Sequence, residues 1–158
     1  MHRLVKVATA LFVSTVVLAG CAATEEEPSA PQGPNGYTNA ADLGDGYILW
    51  WDRSPESGMS DVIATDPETH IVGSCLSDDP IYCVDGPTDS QVVLVIGPPE
   101  AERAVIQWFG EDIELARGDT SEEDAPPVFG AIMPPPADPE AGYHLNVFDG
   151  AGEVVFTS

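Results

Sequence analysis

The feature that most restricts the fold is a succession of short apolar stretches, each closed by Gly, Pro, Asp or Asn. They fall at residues 47–51, 61–64, 70–76, 81–84, 91–96, 104–109, 112–116, 128–133, 143–148 and 154–157. None announces a helix of any length. The punctuation between them is turn chemistry, because Pro fixes φ and Gly reaches positive φ. Such spacing predicts a mainly β domain, a small antiparallel β-sandwich of immunoglobulin-like or barrel-like form. Val92–Ile96 is apolar at every position, which predicts a strand covered on both faces, in the middle of the structure. Residues 143–148 alternate, with Leu145 and Val147 on the inner face. Asp149-Gly150-Ala151-Gly152 then turns the chain and residues 153–156 return, so a hairpin is expected at the end. Gly110-Glu111 marks a further turn.

Residues 98–109 read two ways. Pro98-Pro99-Glu100 suits the first turn of a helix, with Ala101, Ala104, Val105 and Trp108 at helical spacing. Val105, Ile106, Trp108 and Phe109 are instead β-branched or aromatic. A loop followed by a strand is the preferred reading.

The N-terminus has a different character. Arg3 and Lys6 precede residues 7–20, which carry no charge. Fourteen helical residues span about 21 Å, short of the roughly 30 Å hydrocarbon core of a bilayer. A basic flank, a short apolar stretch and small residues at its end fit a secretory signal. Leu18-Ala19-Gly20-Cys21 resembles the lipobox of bacterial lipoproteins. The resemblance covers about the first 21 residues. It implies a diacylglyceryl group on Cys21, cleavage before it, and a domain held to the extracytoplasmic face of the cell membrane. The alternatives are an uncleaved anchor or a secreted protein cut nearby. After Cys21, Glu25-Glu26-Glu27, Pro28, Pro31, Gly33, Pro34 and Gly36 leave little to bury. Residues 21–46 therefore read as a disordered tether and residues 47–158 as one β-rich domain. The tether is either a stalk of required length or an unselected leader.

Charge narrows the partners. All 27 acidic residues follow Cys21, and only Arg53, Arg103 and Arg117 oppose them. Nucleic acid is excluded as a partner, since its binding rests on Lys and Arg at phosphates. Anionic lipid would repel the domain. A cationic partner is compatible, and so is plain solubility.

With Cys21 lipidated, Cys75 and Cys83 remain as an even pair in an exported protein. They flank the turn Asp78-Asp79-Pro80, and a disulfide between neighbouring strands is the natural reading. A metal or redox pair would bring closer cysteines or further ligands.

Catalytic constellations are missing. There is no Gly-x-Ser-x-Gly elbow, Ser-x-x-Lys or His-Glu-x-x-His. His70 and His144 read as surface residues. Paired carboxylates such as Asp78/Asp79 and Glu122-Glu123-Asp124 fall in loops where solvation explains them. Asp42-Leu43-Gly44-Asp45-Gly46 offers loop oxygens of the kind calcium favours but departs from the EF-hand pattern. No metal or cofactor is expected. The aromatic pair Trp50-Trp51 lies in one strand, whose successive side chains face opposite ways. One of the two is expected in water, as an anchor for an envelope protein or polymer.

Gly97-Pro98-Pro99, Arg103-Ala104-Val105-Ile106, Val128-Phe129-Gly130-Ala131 and residues 145–152 follow an order similar to the β-sandwich ends of many actinobacterial exported proteins. That resemblance covers about 60 residues and implies a fold without a reaction. The expected function is a non-enzymatic binding module at the envelope. The alternatives are a solute- or cation-binding accessory and an envelope hydrolase.

Overall fold

The computed structural model describes residues 33–158 apart from 35, 55, 88, 89, 121 and 123. The segment read as a signal, Cys21 and half of the segment read as a tether lie outside the described residues. Among those described the structure is all strand and turn. In chain order the strands are β1 (Thr38–Gly44), β2 (Tyr47–Arg53), β3 (Ser60–Thr65), β4 (Ile71–Ser77), β5 (Ile81–Asp85) and β6 (Val92–Ile96). They continue with β7 (Ala101–Trp108), β8 (Glu111–Glu114), β9 (Ala116–Arg117), β10 (Val128–Ile132), β11 (Tyr143–Asp149) and β12 (Val154–Thr157).

The strands form three antiparallel four-stranded sheets, ordered β1-β2-β3-β4, β5-β6-β10-β9 and β12-β11-β7-β8. The mainly β, sandwich-like expectation holds, and the structure adds a third layer. The second sheet is the shared wall. Val92, Leu94 and Ile96 of β6 pack with Leu49, Trp51, Val62 and Ala64 of the first sheet. Val93 and Val95 of the same strand pack with Ala104, Ile106, Leu145 and Val147 of the third. Period-two alternation thus feeds two cores from one strand, and that is why β6 is apolar throughout. All five of its residues are buried. Each such side chain contributes on the order of 1.5–3 kcal/mol of burial.

The first and second sheets are tied at both edges. The Cys75–Cys83 disulfide joins β4 to β5 with a Cα–Cα distance of 5.7 Å. At the opposite edge the amide of Asp119, two residues past β9, donates to the carbonyl of Ala40 in β1 at 2.8 Å. The two sheets approach closely because small residues face the gap. A Cβ on Gly73 would overlap Val92, and one on Gly130 would come within 2.9 Å of Leu49 Cδ1.

Residues 101–108 are a strand, so the preferred reading of that segment stands. Its β formers win because β7 is paired on both sides, with β11 and with β8. Both expected hairpins form. β7 turns into β8 through Phe109-Gly110, and β11 into β12 through Gly150 and Ala151. The reading of 21–46 as tether needs correction at its C-terminal end. Residues 38–44 form β1, paired with β2 along its length. Ala40 is buried in the core between the first two sheets, a role that the small Ala40-Ala41 pair between Asn39 and Asp42 does not mark by apolar periodicity.

Candidate functional site

The expected aromatic patch is absent. Trp50 and Trp51 are each only 2% exposed. Alternation does send them to opposite faces, and Trp51 lies in the core between the first two sheets. Trp50 lies on the outer face of the first sheet, where Gly33 sits so close that a Cβ there would overlap the indole. Its Nε1–H donates to Thr65 Oγ1 at 2.9 Å. The chain ahead of β1, read as a tether, therefore covers the surface assigned to a partner. Tyr37 follows it across that face. Its hydroxyl donates to Asp61 Oδ2 at 2.5 Å. Burial, then this bond to the carboxylate, pushes the phenol well above its ordinary range.

A cleft of about 400 Å³ lies at one end of the gap between the first and second sheets. Strand geometry explains its position. Trp51 and Arg53 share the inward face of β2, and Arg53 pairs with Ser60 at the end of that strand. Past Trp51 the apolar filling stops. Arg53 and the 4% exposed Ser60 face the gap instead, with Ile96 of β6 opposite. Three loops close the rim. The turn between β4 and β5 brings Asp78, Asp79 and Pro80. The connection between β6 and β7 brings Gly97 and Pro99. The segment before β10 brings Asp124, Ala125 and Pro126. The disulfide joins Cys75 and Cys83, each three positions outside the Asp78-Asp79-Pro80 turn, and so ties the two arms of that turn together.

Arg53 is the chemical centre of the cleft. Its Nε–H donates to the Gly58 carbonyl at 3.3 Å and an Nη–H to the Asp124 carbonyl at 3.4 Å. A guanidinium has five N–H donors in a planar fork. The others have no acceptor among the described residues, and no carboxylate there lies within ion-pair distance of Arg53. Arg117, by contrast, pairs with Glu102, and Arg103 lies 4.3 Å over the Phe148 ring. One step inward from Arg53, the buried Trp51 Nε1–H also lacks an acceptor among the described residues. A buried N–H without a partner costs about 1–3 kcal/mol.

The other candidate residues do not converge on this cleft. In the turn 42–46, Asp42 Oδ1 accepts the Gly44 amide at 2.8 Å, which occupies part of the oxygen set considered for calcium. The one group of three ligand-type side chains that comes together among the described residues is Asp66, Glu68 and His70, within 4.8 Å of one another and largely exposed. Asp66 accepts the amides of Glu68 and His70 and contacts His70 Nδ1 at 3.2 Å. The His70 amide, with the His70 ring and the Glu68 amide, holds the Asp66 carboxyl below its usual range. These bonds account for the loop's shape. His144 is exposed and meets Thr157 Oγ1 at 3.2 Å, on the outer face of the third sheet.

Sequence reasoning named Arg53 only as one of three cations opposing the acidic residues and missed the cleft. Its walls come from segments near residues 53–60, 78–80, 96–99 and 124–126, brought together only by the sheet order. The usable signal was Arg53 itself, one of three cations after Cys21 against 27 acids, sited at a strand end. Comparison with protein families, curated proteins and solved structures finds no match to this chain.

Proposed function

We propose that this chain is a lipid-anchored extracytoplasmic binding protein, without catalytic chemistry, that holds a small solute in the mouth between its first two sheets. The observation that carries this reading is Arg53. It stands in a cleft of ligand size with guanidinium N–H groups that no described protein group accepts. The Arg53 side chain is exposed, so a ligand oxygen arriving from solvent could complete its open donor set. With both tryptophans covered, the solute-binding reading gains over docking of a macromolecule through an aromatic anchor. The address rests on Leu18-Ala19-Gly20-Cys21, with acyl chains on Cys21 supplying stable attachment.

Two measurements test it. Changing Cys21 to Ala should move the protein from the membrane fraction to the soluble or unprocessed pool. Unchanged fractionation, with wild-type protein lacking acyl mass, defeats the anchor. For the site, small molecules retained by protein isolated from its own envelope are compared with those retained by Arg53→Ala. Loss of a retained species in the variant supports the mouth as the site. Equal retention, or none in the wild type, defeats it.

A further inference from the structure

We infer that Asp45 is a site of spontaneous covalent modification, where the Asp45-Gly46 step isomerises to isoaspartate and loosens the hairpin that holds β1. The chemistry needs only the chain and water. The Gly46 amide nitrogen attacks Asp45 Cγ, and the new C–N bond closes a five-membered succinimide. The amide proton leaves with the carboxyl hydroxyl as water. Water then adds back at either ring carbonyl. Breaking the new bond restores aspartate. Breaking the bond from the nitrogen to the old main-chain carbonyl carbon sends the backbone through Cβ and Cγ, and that carbonyl becomes a free carboxylate.

The sequence holds three Asp-Gly steps, Asp45-Gly46, Asp85-Gly86 and Asp149-Gly150. In each the glycine leaves the attacking amide unhindered by a side chain, so the sequence does not rank them. The structure does. Asp85 Oδ1 accepts the Gly86 N–H itself at 2.7 Å. That bond keeps the nitrogen protonated and in line with a carboxylate oxygen, whereas attack needs it over the carboxyl carbon. Asp149 Oδ1 accepts the amides of Ala151 and Glu153 at 2.9 and 2.8 Å, which pin it on the turn beyond Gly150. The Asp45 carboxylate accepts no hydrogen bond among the described residues, and both Asp45 and Gly46 are exposed. Asp42 takes the neighbouring Gly44 amide in its place.

The backbone adds a second asymmetry. Gly44 pairs with Tyr47, so Asp45 and Gly46 are the whole loop between β1 and β2. Their φ angles are 52° and 82°, the signs of the tight turn that suits a two-residue hairpin. Of the three aspartates only Asp45 has positive φ, where Cβ crowds the following carbonyl. Isomerisation removes that crowding, because Cβ joins the main chain. The loop has no slack for the added methylene. Gly46 already lies so near Pro67 that a Cβ on it would be 3.0 Å from Pro67 Cγ. The Gly44–Tyr47 pairing gives way, and with it the seat of Ala40 in the core and its bond to the Asp119 amide.

The test ages the full chain in neutral buffer, folded and in parallel unfolded in guanidinium chloride. Peptide mapping with electron-transfer fragmentation locates isoaspartate. In the folded protein Asp45 should isomerise at least about tenfold faster than Asp85 or Asp149, the factor that one hydrogen bond to a charged group imposes when it must first be broken. In guanidinium the three rates should converge. Equal rates in the folded protein overturn the inference. An equal lead for Asp45 in the unfolded chain overturns it too, since the fold then plays no part. Amide exchange along β1 is compared in aged wild type and aged Asp45→Gly, whose glycine accepts positive φ and has no carboxyl. Melting curves establish that the variant folds. Wild type should lose protection in β1 in proportion to its isoaspartate, and the variant should keep it. Full protection of β1 in isomerised molecules, or equal loss in the variant, refutes the loosening.

Discussion

The core between the second and third sheets is filled by large side chains, including Trp108, Phe129, Met133, Ile106 and Leu145. The core between the first and second holds Ala40, Ala64, Cys75 and Trp51 among valines and leucines, with Gly73 and Gly130 letting the backbones close in. Each contains a buried tryptophan, and the two are treated differently. The Trp108 Nε1–H donates to the Pro134 carbonyl at 2.9 Å, whereas that of Trp51 has no acceptor among the described residues. The former core is closed by packing. The latter is clamped at one edge by a covalent bond, and at one end of it lies the cleft. Bulk gives rigidity, and small residues with a clamp leave room for a mouth. A domain with both can place recognition in one layer without spending the stability of the other.

The comparison breaks most readily at Leu145. It is fully buried in the second-to-third core, so Leu145→Ala should destabilise the protein by about 2–5 kcal/mol in urea unfolding. Ligand binding at the mouth should be unchanged in the folded fraction. A change in affinity would show that the two cores are not separable.

Next in size is the clamp. Replacing Cys75 and Cys83 together by Ala should cost about 2–3 kcal/mol, from the loop-closure term for a cross-link spanning 8 positions. Here binding should weaken as well, because the two arms of the Asp78-Asp79-Pro80 turn are no longer tied together. Denaturant curves under oxidising conditions measure the first effect and calorimetry the second. Equal affinity with and without the bond would remove the clamp from the account of the mouth.

The tryptophans give a smaller and more pointed contrast. Trp108→Phe deletes a made hydrogen bond and strands the Pro134 carbonyl. Trp51→Phe deletes a donor that has no partner. With similar volume lost, Trp108→Phe should be the more destabilising by about 1 kcal/mol. Equal costs would mean that the Trp51 N–H is satisfied in solution.

The smallest effect lies outside both cores. The Tyr37 phenol titrates above its ordinary value of 10.0 in the folded protein, so folding favours the protonated form. Its contribution is complete below pH 10 and is lost as pH rises from there through the folded-state value. Tyr37→Phe should therefore flatten the fall in melting temperature above pH 10, with little change near neutrality beyond the lost bond to Asp61. An unchanged alkaline limb would assign that fall to other groups.

Much of the strand framework was legible in the sequence because turn residues and apolar runs carry local signals. β6, the closing hairpin and the paired cysteines are each written in adjacent residues. β1 was not, because Thr38-Asn39-Ala40-Ala41-Asp42 shows no apolar alternation and is held by its pairing with β2 and by Asp119. The cover on Trp50 was missed for a related reason, since a glycine can pack on an indole without any hydrophobic mark in the sequence. The cleft was invisible because its walls are set by the order of strands in two sheets.

The apolar uniformity of β6 bears on how the chain finds its fold. A strand that alternates polar and apolar residues is policed by water, since a slip of one position turns its apolar set outward. A slip of β6 would exchange Val92, Leu94 and Ile96 for Val93 and Val95, grease for grease, and water would raise no objection. The correct alignment must be enforced from the side. Leu94 pairs with Cys83 on one flank and Gly130 on the other. In the native alignment Cys83 is bonded to Cys75, and Gly130 is the position where Leu49 leaves no room for a side chain. Closing the Cys75–Cys83 bond would then work as a proofreading step, sealing the chains that have aligned and leaving slipped ones free to try again.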